Sequence, residues 1–162
     1  MNPYMNKIVP FTEDHGIEVC TWIYPPPYET YNWPSWQAML QHEFEFADPD
    51  IRRDQYAAIV DQDGKLSGFA QFFPLAGVTR LGLSLRPELC GQGHGAQFMG
   101  IIVQEAKRRA PGQEIDLEVL VSNERAIRTY ERKGFVITDT YEKMTPEGWD
   151  AFHCMVYQDQ ES

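Results

Sequence analysis

Between Leu81 and Arg109 the sequence changes its hydrophobic period across three closely spaced glycines. Leu81, Leu83 and Leu85 alternate with Gly82, Ser84 and Arg86, the period of two that marks a strand, and Pro87 stops it. Cys90-Gly91-Gln92-Gly93-His94-Gly95-Ala96 comes next. Phe98, Ile102 and Ala106, with Met99, Ile101 and Val103 beside them, then mark an amphipathic helix. It ends in Lys107-Arg108-Arg109, cations suited to a helix C-terminus, ahead of Pro111-Gly112. A strand, a glycine loop and a helix together suit an anion. Helix N-terminal N–H groups point at it, and missing β-carbons let the backbone close in.

The flanking pattern limits the fold further. Ile8-Val9-Pro10-Phe11 reads as an edge strand, and Asp14 as the cap of a helix over roughly Gly16 to Tyr24, with Ile17, Cys20 and Tyr24 on one face. Pro25-Pro26-Pro27 ends that helix, and a second is expected from Gln37 to Ala47. Tyr56–Val60 and Leu66–Phe73 form strands joined through Asp61-Gln62-Asp63-Gly64-Lys65, whose Asp-Gly is a hairpin signal. Ile115, Leu117 and Val119 alternate with Glu114, Asp116 and Glu118 as another strand. Asn123 caps a helix from Glu124 to Lys133 and Gly134 stops it. Phe135–Tyr141 and Phe152–Tyr157 supply the last strands. The expectation is one α/β domain over residues 1–162, a mixed, mostly antiparallel sheet of about seven strands flanked by about four helices.

A chain of 162 residues has room for one proper core. The longest uncharged stretch, Leu66 to Thr79, is interrupted by Gly68, Pro74 and Gly77 and is shorter than the ~18 apolar residues of a membrane helix. No membrane association is expected, nor a secretory leader, because no charged-then-apolar segment opens the sequence. Cys20, Cys90 and Cys154 are odd in number and lack paired spacing, which fits a reducing compartment, the cytoplasm by default. His15, His42, His94 and His153 lack ligand spacing, so no metal site is expected. A net charge of −10 argues against nucleic acid as a partner. It suits a cationic partner or substrate, or solubility alone.

Three nucleotide loops compete for the glycines. A P-loop is excluded, because no Gly-x-x-x-x-Gly-Lys-Ser/Thr occurs. Gly91, Gly93 and Ala96 do satisfy the dinucleotide fingerprint, and Asp116 lies about 20 residues on, where a ribose-binding acid belongs. Too little chain precedes the loop for a doubly wound sheet, however, and the strands before it are joined by hairpins.

The third candidate uses the downstream helix as well. Leu83-Ser84-Leu85-Arg86-Pro87, then Cys90-Gly91-Gln92-Gly93-His94-Gly95, then Asn123-Glu124-Arg125-Ala126-Ile127-Arg128-Thr129-Tyr130-Glu131-Arg132-Lys133-Gly134-Phe135 resembles the Gcn5-related N-acetyltransferase (GNAT) superfamily. The likeness covers about Val78 to Tyr141. Leu117-Glu118-Val119 followed by Ser122-Asn123 is locally similar to the ribosomal-protein N-terminal alanine acetyltransferases.

The resemblance implies acetyl transfer from acetyl-CoA to a primary amine, on a small molecule or a peptide, without a metal. It implies that the backbone of Leu83, Ser84 and Leu85 lies beside the pantetheine arm. Gly91, Gln92, Gly93, His94, Gly95 and Ala96 would hold the pyrophosphate, and Asn123 and Ala126 would line the cofactor's other side. Tyr130 would be the general acid for the leaving thiolate; a core aromatic at helical spacing is the plainer account of it. Glu118 would be the general base, through a water; one solvated strand face with Glu114 and Asp116 is the plainer account there. The family pattern has Arg or Gln where this chain has Cys90, and a thiol is only a weak donor. Tyr24, Tyr28, Glu29 and Tyr31 fall where the acceptor site commonly borders the fold, and aromatic faces with a carboxylate can receive an ammonium; a packed loop is the alternative. A homodimer is an assembly common to the fold. The rival functions are a non-catalytic acyl-CoA-binding sensor on the same fold and a nicotinamide dinucleotide-binding protein.

Overall fold

In the computed structural model, residues 2–159 are described. They form β1 (Lys7–Pro10), α1 (Glu13–Val19), α2 (Trp36–Gln41), α3 (Pro49–Gln55), β2 (Tyr56–Val60), β3 (Leu66–Leu75), β4 (Val78–Leu85), α4 (Gly95–Arg109), β5 (Glu114–Leu120), α5 (Glu124–Arg132), β6 (Phe135–Thr145) and β7 (Gly148–Tyr157). One sheet holds all seven strands in the order β1-β2-β3-β4-β5-β7-β6. The β1–β2, β2–β3, β5–β7 and β6–β7 pairs are antiparallel, and β4–β5 is parallel. The fold class is the expected mixed α/β sheet, with a fifth helix added, and its order excludes the doubly wound parallel sheet of a dinucleotide-binding domain.

The described residues pack as two compact units, one of residues 2–71 with Leu83–Cys90, the other of Phe72–Gly82 with residues 91–159. The first unit has an aromatic core. Phe11, Phe46, Tyr56 and Phe69 are buried with ring centroids 5.2 to 6.0 Å apart, in the tilted and edge-on arrangements that ring quadrupoles favour. Gly16 explains itself here: a β-carbon would stand 2.9 Å from Trp36 and 3.0 Å from Phe46.

Three sequence expectations in this unit are corrected. The cap of α1 is Thr12, not Asp14: the Thr12 hydroxyl accepts from His15 N at 3.2 Å and His15 Nδ1 accepts from Thr12 N at 3.0 Å. This reciprocal pair starts the helix early and it ends at Val19, leaving Tyr24 outside and Ile17 exposed. The second helix is shorter than expected, because Glu43 and Glu45 adopt left-handed backbone (φ 48° and 50°) and break it after Gln41. Helix α3 has no counterpart among the sequence expectations, yet its signal is local. Asp48 Oδ1 accepts from Asp50 N and Ile51 N at 2.8 and 3.1 Å, and Pro49 follows at the first helical position.

The second unit buries Phe98, Met99, Ile102, Val103 and Ala106 of α4, and Ile115, Leu117 and Val119 of β5. Phe135, at the start of β6, packs its ring 6.1 Å from Tyr130 and 5.4 Å from Tyr157. The parallel register runs from Val78↔Glu114 to Leu81↔Leu117; β4 then continues to Leu85 and β5 to Leu120.

Candidate active site

The glycine loop leads from a single 3-10 turn (Pro87–Leu89) to α4. Gly91 (φ 71°) and Gly93 (φ 86°) take left-handed backbone, which a side chain would strain, and a β-carbon on Gly93 would face open space. Helix α4 runs for 15 residues, has no acid in its first turn and has Lys107, Arg108 and Arg109 in its last. Its N-cap, His94, gives the first turn no side-chain hydrogen bond. A left-handed glycine loop ahead of an acid-free N-terminus is a donor set suited to a pyrophosphate.

Asn123 performs the expected cap, its Oδ1 accepting from Ala126 N at 3.2 Å, and α5 ends where Gly134 (φ 104°) follows. One face of α5 stands against glycines of the preceding segment. Arg125 Nη1 is 3.2 Å from where a β-carbon of Gly91 would be, Thr129 Cγ2 2.7 Å from that of Gly95, and Lys133 Nζ 3.2 Å from that of Gly100. Gly95 therefore lacks a side chain for the sake of Thr129. Tyr130 is half-buried on α5 against Phe135.

The strand face carrying Glu118 is a charged network. Glu118 accepts hydrogen bonds from the Tyr141 hydroxyl and, at 2.7 Å, from Lys143 Nζ, while Arg80 Nη1 lies 3.7 Å away. Arg80 also binds Asp116 through two hydrogen bonds of 3.0 and 2.9 Å, and Cys154 Sγ donates to Asp116 at 3.6 Å. Asp116 is buried, which corrects the alternative of a solvated strand face and leaves it committed to Arg80 and not set aside for a ribose. Burial would raise the Glu118 pKa, but hydrogen bonds from Lys143 and Tyr141 and the charges of Lys143 and Arg80 outweigh it and hold the carboxyl below its usual range. Burial, then the bond to Glu118, pushes the Tyr141 phenol up. No local pattern in the sequence links Arg80, Tyr141 and Lys143 to Glu118. Only the register of β4, β5, β7 and β6 brings them to one carboxylate.

The acceptor-side candidates separate. Tyr24 is 7% exposed and its hydroxyl donates to the Leu85 carbonyl at 2.6 Å, so it anchors the end of β4. Burial is the main cause that drives its phenol pKa upward. Tyr28 and Tyr31 come together, ring centroids 6.5 Å apart, around a 3-10 turn that leaves Glu29 exposed. Cys90 Sγ lies 3.7 Å from the Leu85 and Arg86 carbonyls, bonded to its own turn. Leu83, Ser84 and Leu85 form the C-terminal end of β4, and Gln92 and Ala96 lie in the loop and the first turn of α4.

The model of the Acetyltransferase (GNAT) family matches residues 17–135, most of the chain. It belongs to the GNAT acetyltransferase family. This makes it an acyltransferase by family, and acetyl-CoA is the family's acyl donor. No match was found among curated proteins. Among solved structures, a chimera of the spermidine N-acetyltransferase SpeG from Vibrio cholerae and hSSAT aligns with a TM-score of 0.72 at 15% identity, over 93% of each chain. The ribosomal-protein-S18-alanine N-acetyltransferase of Escherichia coli aligns at 0.65 and 21%, over 94% of this GNAT chain and 93% of its own. YncA of Salmonella typhimurium, solved with its cofactor acetyl-CoA, aligns at 0.54 and 20%, over 66% of each. At such identities the likeness is one of fold. Among the described residues of this GNAT protein, no helix is long and apolar enough to cross a membrane.

Proposed function

We propose that the chain, acting as one domain, is an N-acetyltransferase that moves the acetyl group of acetyl-CoA directly to a primary amine. The observation that carries this is the left-handed glycine loop on an acid-free helix N-terminus, followed by an Asn123-capped helix bearing Tyr130, in a chain matched by the family over residues 17–135. Acetyl-CoA, when bound, supplies an acyl carbon activated as a thioester.

The chain's own residues do the rest. The backbone N–H groups from Gly91 to Ala96 hold the pyrophosphate. Leu83, Ser84 and Leu85 offer backbone groups to the pantetheine arm in the manner of an added strand, with Tyr24 fixing the Leu85 end. Asn123 and Ala126 line the other side; the small Ala126 leaves room one turn from Tyr130. Tyr130 Oη holds the proton that the departing sulfur takes.

Glu118 is the residue toward which the acceptor amine gives up its proton. Its lowered pKa makes it a poor final store, so it takes the proton only in passing, through a bridging water, and hands it on to solvent, while its charge draws the ammonium. Tyr28, Tyr31 and the exposed Glu29 suit the acceptor's entrance, and a net charge of −10 suits a cationic acceptor. The free cysteines fit a cytoplasmic location. The test is thiol release from acetyl-CoA across a panel of amines and peptides. Release with at least one acceptor is expected; binding of acetyl-CoA without release for any acceptor would mark a sensor.

A further inference from the structure

We propose that Glu118 Oε1 and the Phe152 ring seat the acceptor's ammonium, and that Lys143 fills this seat until an acceptor displaces it. The inference rests on the acetyltransferase reading with Glu118 at the acceptor amine, and adds to it a binding residue and a resting occupant. Lys143 Nζ lies 2.7 Å from Glu118 Oε1 and 4.7 Å from the centroid of the Phe152 ring. A carboxylate beside a ring face recognises a primary ammonium by charge, hydrogen bond and ring quadrupole. The chain's own amine is thus held as an acceptor's would be.

Strand register sharpens the point. It sets the exposed Asp150 of β7 directly opposite Lys143 of β6. The ammonium nonetheless leans across Phe152 to Glu118 on β5, on the far side of β7. Lys143 therefore passes over the nearer, wetter acid for the carboxylate and ring together. The two oxygens of Glu118 are also divided. Oε2 accepts from the Tyr141 hydroxyl, with Arg80 Nη1 3.7 Å away, whereas Oε1 accepts from Lys143. Withdrawing Lys143 frees one oxygen while the other still fixes the carboxylate. The Lys143 side chain is 41% exposed, and an ion pair so open to water is weak enough for a dissolved amine to replace.

The experiment follows butylammonium binding at neutral pH by NMR, with butanol as the uncharged control. In wild type carrying labelled lysine, butylammonium should move the Lys143 signal toward that of free lysine, and butanol should not. Lys143→Met should tighten butylammonium about two- to five-fold, read at the Glu118 carboxyl carbon. The same variant should lower the acceptor KM in thiol-release assays, with the gain in KM rather than kcat. Lys143→Arg, which keeps a cation on Glu118, should give no gain, and the remote, exposed Lys65→Met controls for net charge. Phe152→Leu is tested on the Lys143→Met background, because in wild type the ring holds lysine and acceptor alike. There it should weaken butylammonium about two-fold or more. An unmoved Lys143 signal overturns the proposal. So does unchanged or weaker amine binding in Lys143→Met, which would make Lys143 a structural tie, or full binding in the double variant. Thiol release by wild type would uphold the acetyltransferase reading in each of these cases. If no amine releases thiol, that reading falls, and this assignment with it.

Discussion

Lys143 Nζ lies 2.7 Å from Glu118 Oε1, and this pair sets the chemistry of the carboxylate proposed to face the acceptor amine. With the Tyr141 hydroxyl on the other oxygen, Glu118 is held as an anion. Its pKa in the folded chain is below the ordinary 4.5, so the stability it contributes is fully present above that value and is lost as pH falls through the folded value. Lys143→Met removes both a hydrogen bond and a charge and should raise the Glu118 pKa. Carboxyl carbon shifts followed by NMR titration would read it, and the acid limb of kcat/KM should move to higher pH with it. An unmoved Glu118 titration would refute the coupling.

Tyr130→Phe keeps the ring that packs against Phe135 and removes only the hydroxyl. The variant should melt like wild type and lose about a hundred-fold or more in kcat, the scale of a general acid. Retained kcat would remove Tyr130 from the mechanism.

Gly95→Ala places a methyl group 2.7 Å from Thr129 Cγ2, well inside contact distance. Overpacking of this kind costs about 1–3 kcal/mol, offset in part by the better helix propensity of Ala. Thr129→Ser deletes the offending methyl, so the double variant should recover most of the loss. Additive destabilisation in urea melts would show that Gly95 is needed for some other reason.

Arg80 and Asp116 form an ion pair whose acid is buried and whose base keeps 31% of its side chain exposed. Arg80→Met strands the carboxylate and should cost about 2 kcal/mol, less than the ~3–5 kcal/mol of a fully buried pair because water still reaches the arginine side. Arg80→Lys should recover part of it. Chemical denaturation midpoints would decide, and an unchanged midpoint for Arg80→Met would contradict the pairing's importance.

Cys90→Ala loses two weak thiol contacts to carbonyls and should leave activity near wild type. Cys90→Arg restores the family's donor and should tighten acetyl-CoA binding, read as a lower Kd. A folded but inactive Cys90→Ala protein would show that the thiol does more than pack.

Much of this architecture is written locally. The period-two run of Leu81, Leu83 and Leu85, the Asp-Gly turn at Gly64, the Asn123 cap and the Gly134 stop each act over a few residues, so they can be read without a fold. Even α3, absent from the sequence expectations, has a local signal in Asp48-Pro49. The short first helix failed for a related reason: Thr12 and His15 close a capping box that competes with Asp14, and such a choice turns on backbone geometry.

What only the tertiary structure decided is the company each site residue keeps. Glu118 and Asp116 look from the sequence like alternate members of a solvated strand face; strand register delivers Arg80, Tyr141 and Lys143 to them and turns that face into an ion-pair network. Gly91 and Gly95 look alike as cradle glycines, yet one takes left-handed backbone and the other makes room for a threonine methyl. Local pattern determines which elements form, because hydrogen bonds and side-chain period are short-ranged. Electrostatic partners arise between residues distant in sequence, so they exist only once the sheet has assembled.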